Sequence, residues 1–170
     1  QYTFAHPPTH PSDGLNIGPM ARLDLRDQLA KQVNDSISLG AFCELGGQIP
    51  DMKGAYYPVT VLSNVNPGMP AFDQELFGPV AAVIKAKDDK EAIALANTTT
   101  YGLGAALFTE SVSRITHYPK VLRTGNIAIN DMVKSDPRLS FGGYFDSGWG
   151  KELGIQGIRA FTRTQTVVQP

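Results

Sequence analysis

The sequence has little cysteine, little net charge and no long apolar run. Its single cysteine, Cys43, excludes an internal disulfide framework and a zinc site built from several cysteines. Charge is nearly balanced, with 15 Lys+Arg against 16 Asp+Glu and a net charge of −1. A protein that coats nucleic acid, or that docks on anionic lipid through a polybasic face, needs a clear cationic excess. No uninterrupted apolar stretch approaches the roughly 20 residues that span a bilayer. Residues 1–11 are polar and proline-rich, without the basic and apolar regions of a secretory leader. The expectation is a cytoplasmic protein with no nucleic acid and no membrane among its partners.

What is present points to a packed fold. The chain has 170 residues, of which 42% are hydrophobic and 18% charged, so it can bury a core. Its 17 glycines and 12 prolines occur without any repeat, which implies many tight connections between short elements. The chain starts at Gln1 rather than at a methionine, so it is expected to be part of a longer protein.

Residues 1–19 read as an extended lead-in, because prolines and glycines punctuate them. His6 and His10 could share a metal only across a helical turn, which Pro7 and Pro8 forbid. From residue 20 to residue 39 the period becomes helical. Leu25, Leu29, Val33 and Ile37 form one stripe, Pro19 suits the first turn, and Gly40 suits the position just past the end. Strands are expected over residues 41–45, 56–62, 80–87, 105–108, 126–129 and 160–168. Pro58 makes the second of these an edge or an irregular start, whereas 80–87 reads as buried. Asp88 and Glu91 form a capping box before a short helix. A further helix over 111–122 is expected to break near Tyr118, because Pro119 lies within it. Strand and helix alternate from 80 to 129, the pattern of crossover units in a parallel sheet. The glycine-rich loop at 130–154 follows a strand, where open α/β sheets bind ligands.

Several motifs admit a plain reading beside a chemical one. Cys43 stands between Phe42 and Glu44 with no adjacent cation, so a small buried hydrophobe fits it better than a nucleophile. Residues 148–154 imitate a dinucleotide fingerprint, but the third glycine falls one residue late and no strand leads into the first. The segment Glu75-Leu76-Phe77-Gly78-Pro79-Val80 sets a carboxylate and a ring on a turn before a strand. A carboxylate can accept from two neighbouring sugar hydroxyls and a ring can pack on a flat heterocycle, yet a solvated turn explains the residues equally well. Ser135-Asp136-Pro137-Arg138 could be an Asp-Pro turn with a surface ion pair.

Taken in order, these segments resemble the C-terminal part of an aldehyde dehydrogenase. The residues that carry the resemblance are Asn16-Ile17-Gly18-Pro19-Met20-Ala21-Arg22, then the Glu75 to Val80 turn, Ala96-Asn97 and Tyr101-Gly102-Leu103. Gly125-Asn126-Ile127-Ala128-Ile129-Asn130 follows, then Ser135-Asp136-Pro137-Arg138-Leu139-Ser140-Phe141-Gly142-Gly143 and Ser147-Gly148-Trp149-Gly150-Lys151-Glu152-Leu153. The Ser-Asp-Pro-Arg segment and the lead helix look most like the succinate-semialdehyde branch.

The resemblance implies an α/β fold: the parallel-sheet, Rossmann-like portion of the catalytic domain (residues 16–158), after a lead-in at 1–15 and before an oligomerisation strand and tail at 159–170. It implies NAD or NADP as cofactor, with Glu75 on the hydroxyls of the nicotinamide ribose and Phe77 beside the nicotinamide. Phe141 would line the aldehyde tunnel, Ser135 could contact a substrate carboxylate, and the last strand would join subunits into a homo-oligomer. In this family the nucleophilic cysteine and the general-base glutamate lie upstream of the Gly18-Pro19-Met20-Ala21-Arg22 segment, so this chain alone is expected to be inactive. The alternative is a short, inactive assembly or binding module with the same fold. Ser140 stands where the family usually has proline, and Phe145 where lysine is common.

Overall fold

The computed structural model describes residues 3–4 and 16–170, so His6 and His10 lie outside the described residues. The chain divides into two compact units, residues 1–85 and residues 86–170.

In the first unit, β1 (Thr3–Phe4) pairs in parallel with β2 (Asn16–Ile17). Helix α1 (Leu23–Ser38) follows. It begins later than Pro19, because the Met20 N–H is tied to the Ala55 carbonyl at 2.8 Å and the backbone at Arg22 is still extended. It ends as its composition dictates. Gly40 takes φ +106°, and the N–H groups of Gly40 and Ala41 reach back to the carbonyls of Ile37 and Ser36, each at 3.0 Å.

The buried face of α1 differs from the expected stripe. Leu29 and Val33 are buried, but Ile37 is exposed, and Gln32 and Ser36 take its place inside. A four-residue repeat advances about 40° per step beyond the 3.6-residue turn, so three steps swing Ile37 off the face by about 120°. Positions 29, 32, 33 and 36 are the true neighbours on the core side.

The sheet of this unit has the order β3 (Phe42–Leu45), β4 (Thr60–Ser63), β5 (Val80–Ala82), with β3 antiparallel and β5 parallel to β4. The ladder starts at Thr60, not at residue 56. Pro58 has no N–H to give, and the Thr60 hydroxyl bonds the Pro58 carbonyl at 3.0 Å instead. Strand β5 is half-buried and stops early, because the central strand β4 has ended by Ser63. The core lies under β4: Leu29, Val33, Ala41, Tyr57, Leu62 and Val65 pack with Met69 and Ala71 at the short helix α2 (Pro70–Asp73).

The second unit opens with α3 (Asp89–Ala96). Asp88 accepts from the Glu91 N–H at 2.8 Å, and the Glu91 carboxylate accepts from the Lys87 N–H at 2.7 Å, so the box closes one residue earlier than the usual reciprocal bond. Strands β7 (Gly104–Leu107) and β8 (Asn126–Ile129) pair in parallel on either side of α4 (Val112–Val121). Helix α4 does not break at Tyr118. Pro119 falls in the last turn, and the Leu122 N–H still reaches the Tyr118 carbonyl at 3.0 Å. Strand β6 (Tyr101–Gly102) pairs with β9 (Tyr144–Phe145) antiparallel.

Helix α5 (Gly154–Ala160) ends on the first residue of the strand expected over 160–168, and residues 162–170 form no ladder. A segment counts as a strand only when another strand bonds to it, and none bonds these residues within this unit. Val167 and Val168 stand 80% and 85% exposed. Among residues 86–170 the only buried positions are Gly102, Gly143 and Gly157, so this unit closes no apolar core of its own.

Candidate functional site

In the first unit the chemistry-bearing segment is the turn at residues 74–80. It leaves α2 with the Gln74 N–H bonded to the Pro70 carbonyl at 3.0 Å. Leu76 then packs against the core. Two tight backbone bonds follow, from the Gly78 N–H to the Leu76 carbonyl at 2.9 Å and from the Val80 N–H to the Gly78 carbonyl at 2.8 Å. Gly78 is required by close approach: a Cβ there would lie 2.4 Å from Leu29 Cδ2. With Leu76 turned inward, Glu75 and Phe77 point outward on either side of it. Glu75 is exposed, and Phe77 is 71% exposed. Phe77 edges an apolar cavity of about 320 Å³ with Met20, Ala21, Leu25, Leu76 and Gly78. A carboxylate and a ring face therefore share one rigid turn.

In the second unit the loop after β8 begins at Asn130, whose positive φ is held from both sides by Thr109. The Asn130 Oδ1 accepts from the Thr109 N–H at 2.8 Å and its Nδ2 donates to the Thr109 carbonyl at 2.9 Å. Phe141 is pinned by a two-way backbone bridge with Glu152, both bonds at 2.8 Å. The next carbonyl, of Gly142, accepts from Lys151 Nζ at 2.9 Å and from Asn126 Nδ2 at 3.1 Å. Phe141 walls a cavity of about 330 Å³ with Asn126, Lys134, Asp136, Leu139 and Ser140. It also borders a second cavity of about 400 Å³ that includes Gly143, Trp149 and Phe161.

Ser135 is exposed and does not line the first of these cavities, although Lys134 and Asp136 on either side of it do. The charges there are fixed by local pairing. The Arg138 guanidinium and backbone N–H hold the Asp136 carboxyl below the usual carboxylate range. The Lys134 ammonium and the Met132 N–H do the same for Asp131.

The remaining candidates resolve plainly. Cys43 is exposed on β3, not buried, and its thiol leans on the Leu45 carbonyl at 3.4 Å. The pairing register shifts between Cys43 and Leu45, an irregularity of this edge strand. Residues 146–150 form an exposed turn with Trp149 99% exposed, so the glycines there serve backbone geometry. Among the described residues, no group of three or more His, Cys, Asp or Glu could hold a metal. No helix among them is long and apolar enough to cross a membrane.

The described geometry also contains polar residues that the hydrophobic pattern did not mark: Gln32, Ser36, Asn126 and Lys151. Gln32 and Ser36 had a faint signal, since they sit three residues after the buried Leu29 and Val33. Lys151 had none, because it reads as part of a glycine-rich loop.

The family model of the aldehyde dehydrogenases matches residues 5–167. The chain belongs to the aldehyde dehydrogenase family. This aldehyde dehydrogenase chain is 46% identical over 158 residues to the succinate semialdehyde dehydrogenase [NAD(P)+] Sad of Escherichia coli strain K12, covering 92% of this chain and 34% of that protein. It is 43% identical over 152 residues to a probable succinate-semialdehyde dehydrogenase [NADP(+)] of Synechocystis, covering 89% of this chain and 34% of that one. Among solved structures, the Mycobacterium tuberculosis aldehyde dehydrogenase complexed with NAD+ superposes with a TM-score of 0.87 at 33% identity, over 94% of this chain and 33% of that chain. Lactaldehyde dehydrogenase from Escherichia coli gives a TM-score of 0.87 at 30% identity, over 91% of this chain and 32% of that chain. The chain thus spans about a third of the length of these relatives.

Proposed function

We propose that this chain is the C-terminal part of an NAD(P)-dependent enzyme that oxidises an acid aldehyde, succinate semialdehyde being the best candidate, to the acid. The observation that carries the reading is the turn at 74–80, where an exposed carboxylate and an exposed ring leave one rigid backbone in adjacent outward positions. These two groups fit a nicotinamide riboside: Glu75 would accept from the two ribose hydroxyls, and Phe77 would give the heterocycle a flat apolar face. The nicotinamide cofactor, when bound, accepts the hydride that leaves the substrate carbon. The contribution of this chain is to hold and orient. Phe141 lines the aldehyde's path and excludes water from it, and Ser135 donates a hydrogen bond to the distal carboxylate of the substrate. The nucleophilic cysteine and the general base are assigned to residues preceding this segment, and Cys43 takes no part.

Residues 159–170 are read as the strand that joins a second subunit in a homo-oligomer. In support, residues 162–170 belong to no helix and no ladder, and Val167 and Val168 are exposed. The same reading sets the enzyme in the cytoplasm, where a lone exposed thiol stays reduced.

The test is Glu75→Gln in the enzyme that carries this chain. Loss of charge at a bond between a carboxylate and a hydroxyl is worth about 1.5–3 kcal/mol, so the catalytic efficiency for the cofactor should fall about 10- to 150-fold. Ser135→Ala should hurt acid aldehydes more than neutral ones. Unchanged kinetics in the first variant would remove Glu75 from the site, and equal losses in the second would sink the succinate-semialdehyde reading.

A further inference from the structure

We propose that Gln32 is a positioning residue for Glu75, its buried carboxamide setting the direction in which the Glu75 carboxylate leaves the turn. The inference rests on the reading of Glu75 as the ribose acceptor.

Gln32 is only 8% exposed and sits on the core face of α1 beside Leu29 and Val33, where an aliphatic side chain would be ordinary. A buried amide is unfavourable unless its donors are engaged, and both are. Gln32 Nε2 donates to Gln74 Oε1 at 2.9 Å and to the Glu75 main-chain carbonyl at 3.1 Å. A main-chain carbonyl can only accept, so the amide nitrogen must face it.

The support is itself anchored. The Ser36 hydroxyl, fully buried, donates to the Gln32 carbonyl at 2.8 Å and accepts from the Ala71 N–H at 2.9 Å, clamping α1 to α2 one turn along. Glu75 therefore lies between two restraints: the Gln32 amide at its own carbonyl and Leu76 in the core. Its carboxylate remains free for a ligand. Without the amide, the Glu75 carbonyl loses its inward partner, and the backbone that carries the carboxylate is free to shift.

Gln32→Met keeps length and apolar volume while removing both donors, so the core should tolerate it. It is compared with Glu75→Gln and with the double variant in the enzyme that carries this chain. Loss of a net hydrogen bond predicts a roughly five-fold fall in kcat/KM for the cofactor in Gln32→Met, with the aldehyde KM unchanged. In the Glu75→Gln background the same substitution should cause no further fall, because the group it positions is already disabled. In the unliganded protein, amide exchange over residues 74–80 should quicken about five-fold, while α1 and β4 keep their protection.

Unchanged exchange at 74–80, or an equal kinetic loss in both backgrounds, overturns the proposal. A silent Glu75→Gln overturns it as well, by removing the role that Gln32 serves. That outcome with quickened exchange marks a failure of the ribose reading, and unquickened exchange marks a failure of Gln32's hold on the turn.

Discussion

Gly78→Ala tests whether the candidate turn owes its shape to the core beneath it. Gly78 does not occupy the left-handed region, so alanine is compatible with the backbone there. Taken alone, the smaller freedom of the unfolded chain would stabilise the variant by about 0.4–1 kcal/mol. Packing opposes this. The new Cβ would stand 2.4 Å from Leu29 Cδ2 and 3.3 Å from Met20 Cε, where 3.4 Å begins ordinary contact. Leu29 is 1% exposed and belongs to the core cluster, so a retreat of its methyl presses on its core neighbours. Overpacking of this kind costs about 1–3 kcal/mol. The packing term wins, and the expected net loss is about 1–2 kcal/mol, or roughly 2–8 °C in Tm for a domain of this size. Thermal unfolding followed by circular dichroism reads this directly. Gly18→Ala is the control, since nothing lies within 4 Å of its added Cβ, and it should show no loss. Leu29→Ala removes the clashing methyl, so the double variant should lose less than the sum of the two single losses. A Gly78→Ala protein that melts at or above the parent temperature would refute the argument, as would strict additivity with Leu29→Ala.

Three further outcomes follow from named contacts. Ser36→Ala leaves the buried Ala71 N–H without its partner and should cost about 1–3 kcal/mol in urea unfolding. Asn97 caps the end of α3 while bonding the Val121 carbonyl and the Arg123 N–H, each at 2.8 Å. Asn97→Ala should therefore cost about 1–2 kcal/mol and quicken amide exchange at residues 121–125. The Asp136 carboxyl is held below its ordinary value of 3.8 by Arg138, so its contribution is fully present above that value and is lost as pH falls through the lower, folded one. Asp136→Asn should lower the urea midpoint at pH 7 and leave it near the parent value at pH 2. An equal deficit at both pH values would show that the charge is not the cause.

Much of the fold was legible because its signals are local. The Asp88–Glu91 box, Gly40 behind α1 and the apolar run at 126–129 each act within a turn or a strand of themselves, and each appears where composition puts it. The errors came where the extent of an element or a distant partner decides. Pro119 carries a helix-breaking signal, but its effect depends on how much helix remains after it, and only two residues do. The strand expected over 80–87 shrank to three residues, because a strand extends only as far as the neighbour that bonds it. The candidate site divides in the same way. Glu75 and Phe77 were visible as a carboxylate and a ring on a Gly-Pro turn. The buried amide bonded to the Glu75 carbonyl was not, because Gln32 lies 43 residues from Glu75 in the chain.

The sequence by itself determined the family, the order of the longer elements from α1 to β8, the C-terminal end of α1 and the residue types offered at the turn and in the loop at 130–154. Those follow from local backbone preference and from motif order, which need no knowledge of what touches what. Only the tertiary structure decided which face of α1 is buried, that Gln32 and Ser36 belong to it, that Cys43 is exposed, and that Phe141 rather than Ser135 walls a cavity. Burial and hydrogen-bond partnership are properties of pairs of residues far apart in the chain, and the folded packing alone sets them.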